Sequence, residues 1–508
     1  MATIRLASSL APERARVRHG TVTILRRSLP GGAWARGAFA GGGRRVRRPR
    51  SEARPPGQAK EVAPWRRSRK RATSRPCEPP AGEPRRGDAE GATSTAVGGP
   101  SRPRAATGAA RRRHAAGPAA PGRAADLGRP ARLTVEDCER RFDATDRFTV
   151  GVEEELMLLS PRTLDLYPGI DSVLDRLAEP TTYRRELREA QLEIVTGVER
   201  RVDAASAAIE SARIRASRAN GGFVRLAGAG THPISTDWGA ICAGERYRLL
   251  EDEFAWATRR SMACGLHVHV AVGRADTALA VHNALRSFLP ELAALAANSP
   301  FFDGRDSGLC SIRPKLNEAM PRSGIPPAFP TWADYVGFLD WGRHGGLFPD
   351  GTHLWWDLRL HPEHGTLELR VADTQTGVAD VAAIAAFAQS LVAWLAERHE
   401  AGEALPVHDA ARIAENAWRA LRYGVQGWLV DLDGRGASPA RERIGTLLVE
   451  LAPVARRLGC EHVLAGAQAL LAGNGADRQR YVAAREGIAG LVRWLADATD
   501  PRSPGTPP

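Results

Sequence analysis

Two periods of apolar and polar residues run along the chain, and the places where one gives way to the other mark its elements. FTVGVEEELMLL (148–159) alternates, begins with β-branched residues and runs into the turn-like SPRTLD, which predicts a strand. DAASAAIESARIRASRA (203–219) repeats Ala205, Ala208, Ile209, Ala212 and Ala216 at helical spacing, with Asp203 as the expected N-cap. Strands are predicted at FVRLAGAG (223–230) and ACGLHVHVAV (263–272), a long helix over 276–297, and a Pro- and Gly-rich loop over 298–330. WWDLRL (355–360) and GTLELRVAD (365–373) read as a hairpin split by the turn HPEHG. After residue 378 the apolar spacing is helical nearly to the end. The expected fold class is α+β: one mainly antiparallel sheet bearing the polar motifs, helices on its other side, and a C-terminal helical region.

Charge divides the chain in a second way. Residues 1–132 carry 30 Lys and Arg against 8 Asp and Glu, a net of +22, and residues 133–508 carry 41 against 50, a net of −9. The first segment, with runs such as GGGRRVRRPR (41–50), is dominated by Arg, Ala, Gly and Pro. It cannot bury enough apolar surface to offset its ordering entropy, so a disordered tail is expected over 1–132, a single domain over 133–498, and a second tail over 499–508. Clustered guanidinium groups would suit nucleic acid, but only Trp34, Phe39 and Trp65 are available for stacking. An inert extension or a misassigned start is the favoured reading; Met1 is the only methionine before Met157. No run resembles a membrane span of ~20 apolar residues, and no membrane partner is expected. Six scattered cysteines without a C-x-x-C pair give neither a zinc ribbon nor a disulfide framework, so the expected setting is reducing and cytoplasmic.

The polar residues that interrupt the apolar pattern carry the chemistry. Glu153 and Glu155 stand two apart on the first predicted strand and share a face, while Glu154 points the other way. Glu189 and Glu193 form a second acidic pair that shares a face on either a strand or a helix. His267 and His269 alternate with valines, and Glu368 and Arg370 repeat the same-face logic with Arg359 across the hairpin. Each pair alone has a bland reading: a solvated face, a core histidine, or a cross-strand ion pair worth under ~1 kcal/mol. Five converging carboxylates, however, would repel one another unless divalent cations neutralised them. Oxygen-rich ligation with an imidazole favours Mg²⁺ or Mn²⁺ over zinc, and a nucleoside triphosphate is the natural substrate of such a site. No G-x-x-x-x-G-K-[ST] loop is present, which argues against a P-loop fold.

In order along the chain, GVEEEL (151–156), ELREAQLEIVTG (186–197), AGAGTHP (227–233), CGLHVHVAV (264–272), SIRPKLNEAMP (311–321), WWDLRLHPEHGTLELRVADT (355–374) and RYG (422–424) resemble the signature segments of the type 2 glutamate–cysteine ligases, or carboxylate-amine ligases. The likeness spans about residues 145–496. It implies a fold similar to the catalytic domain of glutamine synthetase, with magnesium held by glutamates. By that resemblance Glu153, Glu155, Glu189, Glu193, His269 and Glu368 are the expected metal ligands, and His267 with Arg370 the expected ATP contacts. Which of the two histidines ligates stays open, since the family motif holds both. Arg313, Arg359 and Arg370 are the basic residues expected around phosphate or substrate carboxylate.

The resemblance implies ATP-dependent transfer of phosphate to glutamate, giving an acyl phosphate that the amine of cysteine attacks. Another carboxylate or amine, or phosphorylation of a guanidino compound as in related kinases, are the alternatives, and a homo-oligomer such as a dimer is expected. A nucleic-acid function of the basic segment makes a separate prediction. On that reading, removing residues 1–132 abolishes nucleic-acid binding in a filter or anisotropy assay. On the ligase reading the same truncation leaves ATP turnover unchanged.

Overall fold

The computed structural model describes residues 132–503 apart from 237, 238, 261 and 435. The expectations for residues 1–131 and 504–508 lie outside the described residues. The central sheet has seven strands: β1 Val150–Leu159, β2 Tyr183–Arg185, β3 Gln191–Val195, β4 Arg225–Ala227, β5 Gly265–Ala271, β6 Leu358–His361 and β7 Thr366–Asp373. Their order is β6-β7-β5-β1-β3-β2, with β4 paired to the far end of β1, and every pairing in this sheet is antiparallel.

Alternation along these strands separates a core face from a polar face. Val150, Val152, Leu156 and Leu158 of β1 are at most 1% exposed, and Leu266, Val268 and Val270 of β5 match them on the same side. Helices Val202–Ala219, Ala275–Leu285 and Val378–Glu400 pack over this side. Val378–Glu400 is long and apolar enough by composition to cross a membrane, which the sequence reading did not foresee. Its residues from Val381 to Val392 are all buried in the protein, and it is the central helix of the core.

Local chemistry accounts for the boundaries that differ from expectation. The predicted helix 276–297 is two helices, Ala275–Leu285 and Leu289–Leu295, joined by a 3₁₀ turn. Pro290 lacks the N–H that a continuous helix would need and sits at the start of the second piece. The cap of Val202–Ala219 is Arg201, and Asp203 lies inside its first turn. Strand 223–230 shortens to Arg225–Ala227 because Gly228 and Gly230 run hard against the last residue of β7 and the chain just after it. A Cβ at Gly228 would lie 2.6 Å from the Gln375 carbonyl oxygen, and one at Gly230 2.7 Å from the Asp373 carboxylate carbon. Thr499, assigned to the tail, is buried and accepts a 2.8 Å hydrogen bond from the Gly228 N–H, so the folded chain continues past 498.

Glu154, the member of the acidic triplet on the core face, is fully buried against fully buried Arg213. Its two oxygens accept from Arg213 Nε at 2.8 Å and Nη2 at 2.7 Å, and the remaining guanidinium donors reach the carbonyls of Gln375, Thr376 and Thr499. Removing one partner of such a pair strands the other charge in the core, at a typical cost of about 3–5 kcal/mol. Arg213→Met is therefore expected to lower the unfolding free energy, read from urea titration, by an amount in that range, and the double variant Glu154→Leu with Arg213→Met to recover most of it. Equal destabilisation by the single and double variants would show that packing, rather than charge, dominates.

Candidate active site

Opposite the core, the polar face of the sheet forms the floor of a cavity of about 360 Å³. The period of two sends Glu153 and Glu155 of β1, His267 and His269 of β5, Gln191 and Glu193 of β3, and Glu368 and Arg370 of β7 to this side. The register brings them together: Glu153 stands opposite His267, Glu155 opposite Glu193, Glu368 opposite His269 and Arg359 opposite Glu368. Farther along β1 the same face is covered by the last helix, where Met157 and Leu159 pack with Val482, Leu491 and Leu495.

Two acidic clusters share the floor. In the first, Glu153, His269 and Glu368 each offer an atom within 4.8 Å of the others. His269 Nδ1 is 3.0 Å from the Thr366 hydroxyl, which turns Nε2 toward Glu153 at 3.5 Å and Glu368 at 3.9 Å. That Nε2 is buried without a hydrogen-bond partner. Burial alone would lower the imidazole's pKa, but the Glu368 and Glu153 carboxylates raise it. Burial likewise opposes ionisation of Glu153 and Glu368. The two histidines hold Glu153 well below the carboxylate range, and Arg359 and Arg370 do the same for Glu368.

In the second cluster, Glu155, Glu186 and Glu193 have no comparable neutralisation. Burial, then the neighbouring Glu186 charge, pushes Glu155 up to about 8 even though it accepts a 2.6 Å hydrogen bond from the Gly265 N–H. Burial also raises Glu186 and takes Glu193 well above the usual range, where Glu186, Glu153 and Glu155 add repulsion. Three carboxylates whose ionisation burial and mutual repulsion oppose, beside a buried imidazole nitrogen with no hydrogen-bond partner among the described residues, are a donor set that fits the Mg²⁺ or Mn²⁺ expected from the donor types.

Glu189 does not join them. It sits in the turn before β3, outside the cavity lining, with its charge near Cys242. The turn breaks the spacing from which a shared face with Glu193 was expected, and Glu186, at the start of the same segment, enters the cavity instead. Sequence reasoning also passed over His361 and His364 in the HPEHG turn, whose rings stack 4.3 Å apart beside His269, and Asp357. The H-x-x-H spacing in that turn was the available signal.

The three expected arginines divide their work. Arg370 lines the cavity, paired with Glu368 and 3.4 Å from His267 Nδ1. Its charge adds to burial in holding His267 neutral, with a pKa down at about 4. Arg359 binds Glu368 through Nε at 2.7 Å and also lines the wall. Arg313 is chiefly a brace: Nε donates to Asp373 at 3.0 Å, and Nη2 donates to the carbonyls of Arg370, Val371 and Ala372, where the β5–β7 register shifts. Its Nη1 makes no hydrogen bond among the described residues.

A family model described as glutamate-cysteine ligase family 2 matches residues 149–497. The chain belongs to that family. "Putative glutamate--cysteine ligase 2-3" of Rubrobacter xylanophilus is 40% identical over 368 residues, covering 71% of this chain and 99% of the relative. "Putative glutamate--cysteine ligase 2" of Thermobifida fusca is 35% identical over 377 residues, covering 72% and 92%. Among solved structures, glutamate–cysteine ligase from Francisella tularensis in complex with AMP superposes with a TM-score of 0.52 at 14% identity, covering 70% of this chain and 89% of that one. A bifunctional glutathione synthetase from Pasteurella multocida gives 0.52 at 13% identity, covering 72% and 54%. At such identity the two structures show a shared fold, as the α+β reading expected. Family membership makes the chain an enzyme of the glutamate–cysteine ligase type.

The electrostatics of the second cluster predict a pH-dependent response to metal. Glu155 titrates near 8 when folded against an ordinary value of 4.5, so its contribution to metal-free stability is full below about 4.5 and lost as pH rises through about 8. A divalent cation displaces that proton and favours the ionised form. Mg²⁺ or Mn²⁺ should therefore raise the unfolding temperature more at about pH 8 than at about pH 5. Equal shifts at both, by calorimetry, would remove Glu155 from metal binding.

Proposed function

We propose that the chain condenses the γ-carboxylate of glutamate with the amine of cysteine, converting ATP to ADP and phosphate through a γ-glutamyl phosphate. The observation that supports this most directly is the placing of two acidic clusters and an arginine side by side in one cavity. Glu153, His269 and Glu368 on one side, and Glu155, Glu186 and Glu193 on the other, are the residues that would hold magnesium. When bound, magnesium supplies positive charge against the phosphates and the carboxylate being phosphorylated.

The chain's own residues do the rest. Arg370, anchored by Glu368, presents its charge beside His267, where it can stabilise the phosphoryl group in flight. His267 is neutral at physiological pH and so can offer an N–H to a phosphate oxygen without adding charge. Arg359 has its Nε committed to Glu368, and it extends the positive wall. Helix Glu245–Phe254 places Arg246 and Tyr247 over the second cluster and closes that side of the cavity against water, which would otherwise hydrolyse the acyl phosphate. Cysteine as the amine follows from the names of the relatives, since no thiol-recognising group stands out in the wall.

ADP release should require glutamate and cysteine together, with γ-glutamylcysteine as product by mass spectrometry. Silence with that pair but turnover with a different amine discards cysteine and keeps the ligase. Reversible phosphorylation of a guanidino compound, with no dependence on an amine, replaces it with a kinase. Glu153→Ala and Glu368→Ala should each lower turnover by ~100-fold or more. Glu186→Ala should be severe and Glu189→Ala close to neutral; the reverse order would restore the assignment made from spacing.

A further inference from the structure

One carboxylate in the cavity belongs to neither acidic cluster. Asp357 sits where the chain leaves a short parallel pairing, Trp355–Trp356 with Ser323–Gly324, and enters β6. Its backbone is held on both sides: the N–H donates to the Gly324 carbonyl at 2.8 Å, and the carbonyl accepts from the Arg370 N–H at 2.8 Å. The second bond ties its position to the arginine at the reacting centre. The side chain lines the cavity near Asn317, Met320 and Trp355. Among the described residues its carboxylate has no hydrogen-bond or ion-pair partner, although Arg313, Arg370 and Lys315 act on it from one direction and Glu318 from the other. Burial outweighs those arginines and lifts its pKa to about 6.

A half-buried carboxylate without a partner is costly unless a ligand completes it. The ligase reaction brings two ammonium groups, the α-ammonium of glutamate and that of the incoming amine, and only the second must give up a proton to react. An amine arrives at neutral pH largely as an ammonium ion, since free amino groups titrate at about 8 or above, and in that form it has no lone pair for attack. The metal clusters and arginines serve the phosphates and the carboxylate, all of them anions. On the strength of the ligase reading, we propose that Asp357 is the amine-receiving residue: its carboxylate binds the incoming primary ammonium and accepts the proton that nitrogen must shed before attack. The freed lone pair forms the C–N bond, the acyl C–O bond to phosphate breaks, and the second nitrogen proton leaves with phosphate as HPO₄²⁻. Asp357 then returns its proton to solvent.

Hydroxylamine tests this, because its nitrogen is already uncharged at neutral pH and attacks acyl phosphates without a base. The full chain and its Asp357→Asn variant would be given ATP, Mg²⁺ and glutamate with hydroxylamine, with cysteine, or with methylamine. The variant should form γ-glutamyl hydroxamate within ~3-fold of the parent while losing ~100-fold or more with the two protonated amines. Retained hydroxamate formation also shows that the variant is folded and phosphorylates glutamate. Equal loss with all three nucleophiles would make Asp357 a structural residue, and full activity with cysteine or methylamine would exclude it as the base. Absence of hydroxamate from the parent protein would instead overturn the ligase reading itself, and this inference with it.

Discussion

Mutual repulsion among carboxylates is the constraint around which this protein is built. Glu153, Glu155, Glu186 and Glu193 line one cavity with Glu368 buried beside them, and like charges in a half-dry space push one another apart. The side chains have little freedom to yield, because four of the five stand on strands whose apolar alternates are locked into the core. Val152, Leu192, Ile194, Leu367 and Leu369 are at most 1% exposed, so moving a glutamate out of the cavity means moving a core residue with it. The repulsion is therefore met by chemistry. Glu368 takes two arginines and Glu153 two histidines, and both stay ionised. Glu155, Glu186 and Glu193, without such partners, are shifted the other way, toward the protonated form. Two of the five acids are thus favoured as carboxylates and three are shifted toward the protonated form, which gives the two clusters different electrostatic surroundings.

Arginine does two kinds of work here, and the difference comes from which backbone groups lie within its reach. Where the pairing of β5 and β7 shifts register, the carbonyls of Arg370, Val371 and Ala372 lose regular partners, and the fork of Arg313 takes all three. Buried Arg213 performs the same service for Gln375, Thr376 and Thr499 on the other side of the sheet. Arg370 has its own backbone tied to Asp357 and its side chain to Glu368, which leaves the rest of its guanidinium to the cavity. The two braces hold the strand end that carries Glu368 and Arg370, so structural arginines are part of how the cavity arginine is aimed.

Much of the site was legible because strands write their faces into the sequence. E-x-E, H-x-H and E-x-R each survive as same-face pairs, and the cross-strand placing of Arg359 beside Glu368 was legible from the hairpin. What could not be read lies where the period lapses. Glu186 and Glu189 fall in the segment between β2 and β3, where a turn decides which acid enters the cavity and spacing carries no information. Asp357 stands at a change of partner strand, and His361 and His364 owe their stacking to the HPEHG turn. The break at Pro290 was visible as a residue, but Ala-rich flanks hid its consequence. Resemblance to a family supplied the order of the motifs and left the two histidines equivalent. The buried Nε2 of His269, without a hydrogen-bond partner among the described residues, is a difference between the two rings that only a fold can show.

Glu153, Glu154 and Glu155 put the same constraint into three consecutive residues. The outer two belong to the cavity and the middle one to Arg213, so β1 carries charge on both faces. Slipping its register by one residue would turn Glu153 and Glu155 into the apolar core around Arg213, and would send Glu154 to the cavity without its partner. It would also place Val152 and Leu156 among the polar side chains of the cavity. Each of those exchanges is unfavourable by itself, and they occur together. The polar residues that look like exceptions to the hydrophobic pattern of β1 are thus what fixes its register, and the register in turn places Glu153 against His267 and Glu155 against Glu193.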